Sequence, residues 1–143
     1  MDVKWNLVGY ARVSTDDQNL DLQLNALREA KVPEGQIFKE HISGVAKNRP
    51  QFEKAMKHLR RGDVLVVWKL DRLGRSLEEL VTLIKSFDDR GIELRSLTEG
   101  IDTTTALGRL FYHMMAALAQ FERDLISERT KAGLEAAKER GRS

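Results

Sequence analysis

The chain reads as an α/β domain: a mostly parallel sheet flanked by helices, followed by one long C-terminal helix. Three observations predict this. Apolar stretches at residues 7–13, 64–68 and 92–97 have the length of strands, and 64–68 is unbroken, as in a strand buried on both faces. Segments with helical apolar spacing lie between them, and alternating strands and helices argue for a parallel sheet covered by helices. From Leu107 onward apolar residues recur at alternating steps of four and three, the longest helical pattern in the sequence.

Length and composition bound the reading. At 143 residues, 41% hydrophobic and 32% charged, the chain is one soluble domain with a real core. Net charge is only +2, and the pI near 9.0 leans weakly toward an anionic partner. Without cysteine there is no disulfide, no thiolate nucleophile and no cysteine-based zinc site, which fits a cytoplasmic setting. No apolar run precedes the first strand as in a signal peptide, and none approaches the length of a membrane span.

In order, residues 7–13 form the first strand. Alternation places Tyr10, Arg12 and Ser14 on one side and Gly9, Ala11 and Val13 on the other. Thr15, Asp16 and Asp17 suit a helix start, and Leu20, Leu24 and Leu27 carry that helix to about Lys31. Pro33, Glu34 and Gly35 turn the chain into a short strand at Ile37 and Phe38. Residues 40–49, with Ser43, Gly44, Lys47 and Arg49, lack periodicity and read as a mobile surface loop. Pro50 opens a helix with Phe52, Ala55, Met56 and Leu59 on one face.

After the strand at 64–68 come Asp71, Arg72 and Arg75, the two arginines at helical i, i+3 spacing. Ser76 and Glu79 have the spacing of a capping box. Leu77, Leu80, Val81, Leu83, Ile84 and Phe87 form the buried side of that helix, and Gly91 ends it before the strand at 92–97. Three threonines, 103–105, precede the long helix. Leu107, Phe111, Met114, Leu118, Phe121 and Leu125 make a heptad-like seam suited to packing on a second copy, with Ala116, Ala117 and Ala119 permitting close approach. The alternative is that this stripe covers the chain's own sheet. Beyond Ile126 both charges abound, so the second half of the helix projects. Its Arg129, Lys131, Lys138, Arg140 and Arg142 can follow a DNA backbone, tempered by the glutamates among them.

The chemistry lies at the strand ends, where ligands sit in parallel sheets. Ser14 alone reads as a helix cap. Arg12 changes that, because an arginine on an apolar strand needs a carboxylate or an incoming anion. Arg49, Arg72 and Arg75 could each be a solvated charge, and Asp71 could simply pair with Arg75. Together, guanidiniums around a serine suit attack on a phosphodiester. They donate to phosphate in pairs of bonds, favour the deprotonated serine and stabilise the charge of a pentavalent transition state. Asp71 orients an arginine or helps move a proton to the leaving oxygen. His41, His58 and His113 are scattered, and neither a metal site nor a nucleotide-binding loop is present in the sequence, so no metal and no cofactor is expected.

These residues resemble the serine recombinases, most closely the DNA invertase and resolvase branch. The likeness rests on residues 10–15 (YARVST), Asp17 and Gln18, Ser43 and Gly44, Arg49 and Pro50, residues 70–75 (LDRLGR), Glu122 and Arg123, and Glu128, Arg129 and Thr130. It covers essentially the whole chain after Asn6. The resemblance implies a resolvase-like catalytic domain at 1–102, and at 103–143 an oligomerisation helix running toward a C-terminal helix-turn-helix domain. It implies that Ser14 forms a 5′-phosphoserine link and frees a 3′-hydroxyl. Arg12, Arg49, Asp71, Arg72 and Arg75 would hold and activate the phosphate, with Tyr10, Gln18 and Gln23 in support. Double-stranded DNA at a crossover site, a homodimer pairing into a homotetramer, and an accessory DNA-bending protein are the implied partners, in the bacterial nucleoid or on plasmid or phage DNA. One departure is Glu40, where the family usually has aspartate. Two other readings stay open: a serine-dependent DNA nickase, and a non-catalytic dimerisation module that binds an anion in the same pocket.

Overall fold

The structure, a computed structural model, describes residues 5–13, 20–41, 49–74 and 76–141. Its centre is a five-stranded sheet built from β1 (Asn6–Val13), β2 (Ile37–His41), β3 (Asp63–Val67), β4 (Glu93–Ser96) and β5 (Ile101–Asp102), in the order β2-β1-β3-β4-β5. The first four are parallel and β5 runs antiparallel to β4. Among the described residues four α-helices accompany it: α1 (Leu20–Glu29), α2 (Pro50–His58), α3 (Leu77–Arg90) and α4 (Ala106–Arg140). This is the predicted mostly parallel sheet with a long last helix.

Alternation along β1 divides the core as the sequence implies. Val8 and Tyr10 face the larger cluster with Leu65, Val67, Ile84 and Phe87. Ala11 faces a smaller one with Leu24, Leu27, Val64 and Val66, beneath α1. β3 is buried along its whole length, which explains its unbroken apolar sequence. Since β1 pairs with β2 on one side and β3 on the other, the chain reverses its direction of winding there. The carboxyl ends of β1 and β3 flank the crevice where open α/β sheets take ligands.

Several boundaries differ from those the sequence predicts. β2 extends to His41, so Glu40 lies in a strand and not in a loop, and it is buried. Its carboxylate serves α2: Phe52 N donates to Glu40 Oε2 at 3.1 Å. The residue before α2 is Arg49, whose side chain does not cap the helix, so β2 supplies an acceptor for an otherwise orphaned first-turn amide. Residues 42–48 of the expected loop, and the expected helix start at Thr15, Asp16 and Asp17, lie outside the described residues. β5 has no counterpart in the sequence pattern, being only two residues long and without an apolar alternation of its own.

Ser76 caps α3 by accepting from Glu79 N at 3.1 Å, and Gly91 ends the helix at φ 73°, a conformation glycine adopts without penalty. Thr105 caps α4 by accepting from Gly108 N at 3.0 Å. Gly108 lets the helix lie directly on β5. A Cβ there would meet the Asp102 carbonyl oxygen at 1.9 Å, so no larger residue fits without moving the helix.

At about 1.5 Å per residue, α4 is on the order of 50 Å long. Its packed side is Tyr112, Met115, Ala116 and Ala119, set against the larger cluster. Ala116 and Ala119 therefore serve the chain's own fold, while Ala117 is exposed. All of the expected seam but the half-buried Leu125 faces away: Leu107 is 76% exposed, Met114 61%, Phe121 60%, Leu118 51% and Phe111 41%. That stripe does not cover the chain's own sheet. With Ile101 and Leu110 its first turns line a groove of about 510 Å³. No helix among the described residues is long and apolar enough to cross a membrane.

Candidate active site

The site is organised by one short segment. After β3 the chain makes a single 3-10 turn, Leu70–Arg72, closed by Leu73 N and Gly74 N bonding back to Leu70 O. The sequence spacing predicts Arg72 and Arg75 on a helix, but the turn is tighter and ends at Arg72. The turn's remaining carbonyls then point outward as acceptors, and two distant arginines take them. Arg12 Nη2, from the end of β1, donates to Asp71 O at 2.8 Å. Arg49 Nη1, from the start of α2, donates to Leu73 O at 2.7 Å. Arg72 rides on the turn itself. Three guanidiniums from three segments are thereby referenced to one piece of backbone.

Each arginine is further fixed. Gln23, fully buried, clamps the backbone of Arg12 from α1: Arg12 N donates to Gln23 Oε1 at 3.1 Å and Gln23 Nε2 donates to Arg12 O at 3.0 Å. This pair of hydrogen bonds holds the strand end straight where its ladder would otherwise fray. Arg49 lies over the Phe52 ring, 3.9 Å from its centroid, and its Nη2 meets Glu79 Oε1 at 3.1 Å. Arg72 stands 5.6 Å from the centroid of Trp68 and pairs with Asp71, Nε to Oδ1, at 3.7 Å. Asp71 thus orients Arg12 through its carbonyl and keeps an exposed carboxylate beside Arg72. Lys69 adds a further positive charge, 4.6 Å from the Trp68 ring.

Tyr10 forms the floor. It is fully buried and meets Phe52 edge to face, 5.5 Å between centroids. Burial, and then the negative charge of Glu40, raise its phenol from 10.0 to about 12, against the opposing pull of Arg49 and Arg12. The native state therefore keeps the proton while the unfolded chain loses it, so this contribution to stability is intact below pH 10.0 and declines as pH rises toward about 12. Denaturant titrations from about pH 9 to about pH 11.5 should show the decline, on the order of 1.4 kcal/mol for each tenfold difference in proton affinity between the two states. Tyr10→Phe should remove its share.

Of the remaining residues singled out from the sequence, Ser14, Gln18, Arg75 and Arg142 lie outside the described residues. β1 ends at Val13, immediately before Ser14, with Arg12 at the crevice. Arg129, Lys131, Lys138 and Arg140 are exposed on the far half of α4 and do not join the arginine cluster. Sequence reasoning missed Glu79 as a partner for Arg49, Glu40 as the acceptor for Phe52 N in the first turn of α2, and the carbonyls of Asp71 and Leu73 as the acceptors that gather the arginines. Glu79 carried a signal, but one already explained by the cap. Backbone carbonyls carry none.

The arrangement can hold a tetrahedral oxyanion against several permanent cations, which matches phosphate in geometry and charge. Comparison with known proteins agrees. The family described as Resolvase, N terminal domain, matches residues 7–143. The chain is 55% identical over 136 residues to the serine recombinase gin of Escherichia phage Mu, covering 95% of this chain and 69% of that protein. It is 56% identical over 135 residues to the DNA-invertase hin of Salmonella typhimurium, covering 94% and 70%. Among solved structures, the N-terminal catalytic domain of TP901-1 integrase superposes with a TM-score of 0.68 at 32% identity, covering 83% of this chain and 97% of that one. The chain belongs to the resolvase family of serine recombinases.

Proposed function

We propose that this site-specific DNA recombinase cuts and rejoins double-stranded DNA through a covalent link at Ser14, with residues 1–102 as the catalytic unit and 103–143 as the helix that assembles it. The observation that carries the proposal is the attachment of Arg12, Arg49 and Arg72 to one turn at the sheet's carboxyl edge, beside the strand that leads into Ser14. The Ser14 oxygen attacks the phosphorus and the bond to the 3′ oxygen breaks, leaving a 5′-phosphoserine and a 3′-hydroxyl. The serine proton must leave and one must reach the departing oxygen. The exposed Asp71 carboxylate beside Arg72 is the group suited to that transfer. Arg12, Arg49, Arg72 and Arg75 neutralise the charge that builds on the non-bridging oxygens. Because the ester keeps the energy of the broken bond, a 3′-hydroxyl can reverse the step without cofactor or metal.

Exposed apolar residues on α4 support self-association. Leu107, Phe111, Met114, Leu118 and Phe121 form a continuous stripe with no partner within the described chain, and such stripes pack on a copy of themselves. A dimer built on this stripe, pairing into a tetramer, would bring catalytic units together. Arg129, Lys131, Lys138, Arg140 and Arg142 would then follow the DNA backbone. Leu118→Glu should shift the sedimenting species toward monomer with little change in thermal midpoint, since the side chain is 51% exposed in the single chain.

The reading is tested by incubating the chain with a labelled duplex pool and denaturing the mixture. A covalent protein–DNA adduct that returns to intact duplex on prolonged incubation is expected. An adduct or nick that only accumulates hydrolysed product supports a nickase instead. DNA binding without any covalent product supports an anion-binding dimerisation module.

A further inference from the structure

A carboxylate outside the arginine cluster reaches the same turn from the segment after β4. Between β4 and β5 the backbone continues beside the end of β3: Leu97 N donates to Val67 O at 3.0 Å and Thr98 N to Trp68 O at 2.9 Å. This register delivers Glu99 next to Leu70. Glu99 Oε2 accepts from Leu70 N at 3.2 Å, and Glu99 Oε1 accepts from the hydroxyl of Ser96, which is fully buried. The residue before the turn, Lys69, supplies no side-chain cap, so Glu99 satisfies the first amide of the turn from a different segment.

We infer that Glu99 is a positioning residue for the recombination reaction: it fixes the leading end of the turn that carries Asp71 and Arg72. This rests on the recombinase reading above. The turn's polar groups then divide cleanly. Leu70 N is held by Glu99, Asp71 O by Arg12 and Leu73 O by Arg49. Arg12 and Arg49 hold the turn with guanidiniums for which an incoming anion competes. Glu99 bonds a backbone amide and the Ser96 hydroxyl, so its hold does not depend on the guanidiniums. It is anchored by a buried serine at one oxygen, which orients the other without using a second charge. Displacing a positioned group by a fraction of an ångström slows a reaction that depends on geometry.

The role depends on acceptance of a hydrogen bond and not on charge, which the glutamine variant separates. A glutamine oxygen can still accept from Leu70 N, while its amide donates to the Ser96 hydroxyl oxygen. Wild type, Glu99→Ala and Glu99→Gln would be compared in single-turnover adduct formation on the labelled duplex. Hydrogen exchange at residues 69–74 would be followed in parallel. Expected for Glu99→Ala are faster exchange at Leu70, adduct formation slower by about tenfold, unchanged half-saturation by DNA and a thermal midpoint lowered by a few degrees, since the variant loses hydrogen bonds that the folded state makes. Glu99→Gln should restore both exchange and rate to within about threefold of wild type. Wild-type exchange and rate in Glu99→Ala overturn the inference, as does Glu99→Gln being as slow as alanine. If Glu99→Ala unfolds, Ser96→Ala takes its place with an expected intermediate rate, and a wild-type rate there overturns it. If the wild-type chain forms no adduct, the recombinase reading has failed, and exchange at Leu70 alone decides whether Glu99 holds the turn.

Discussion

Ser14→Ala is expected to abolish covalent attachment to DNA while leaving DNA binding and thermal stability close to wild type. The serine is the only proposed source of the bond to phosphorus. Alanine keeps the backbone and removes the oxygen, so no slower route to the same adduct remains. A caps-only role for Ser14 predicts something different: a loss of about 1 kcal/mol in stability and an adduct that still forms. Running both measurements on one preparation separates the two, because the cap reading moves the midpoint and the nucleophile reading moves the chemistry.

Arg72→Ala is expected to slow adduct formation by about a hundredfold or more, the usual loss on removing one electrostatic donor from a transition state. Arg72 belongs to the turn that Arg12 and Arg49 both grip, so its loss takes away a cation and leaves the frame standing. Arg72→Lys should recover only part of the rate. Lysine keeps the charge but loses the planar fork and the contact with Trp68, where the guanidinium stands 5.6 Å from the ring centroid. The rate should be read in single turnover, so that weakened binding does not pass for weakened chemistry. Equal slowing in lysine and alanine would place the requirement in the fork; full recovery in lysine would place it in charge alone.

The parts of the molecule that were legible from sequence are those governed by local pattern. Unbroken burial wrote β3 as an apolar run, and alternation put Tyr10 and Arg12 on the same side of β1. The spacing of Ser76 and Glu79 announced a cap, and the cap is present. The four-three stripe on α4 marked residues that the single chain leaves exposed from Leu107 to Phe121, while its last member, Leu125, is half-buried. What escaped was set by distant segments. Glu40 looked like loop because residues 40–49 lack periodicity, and its reason for burial is an amide at the start of α2, twelve residues on. β5 is too short to show alternation and exists because β4 offers it a ladder. That Arg12 and Arg72 come near one place was readable from the strand ends, whereas Arg49 arrives from the residue before α2. That they are gathered by the carbonyls of Asp71 and Leu73 was not, since every residue has a carbonyl and only the fold selects which ones face outward.

The claim on which the rest depends is that the oxygen of Ser14 carries the DNA. It is tested most directly by purifying the adduct, digesting both protein and DNA, and sequencing the nucleotide-bearing peptide by mass spectrometry. The expected result is a single modified peptide with the 5′-phosphate mass on Ser14. A modification on any other residue, or an adduct that persists in Ser14→Ala, contradicts it.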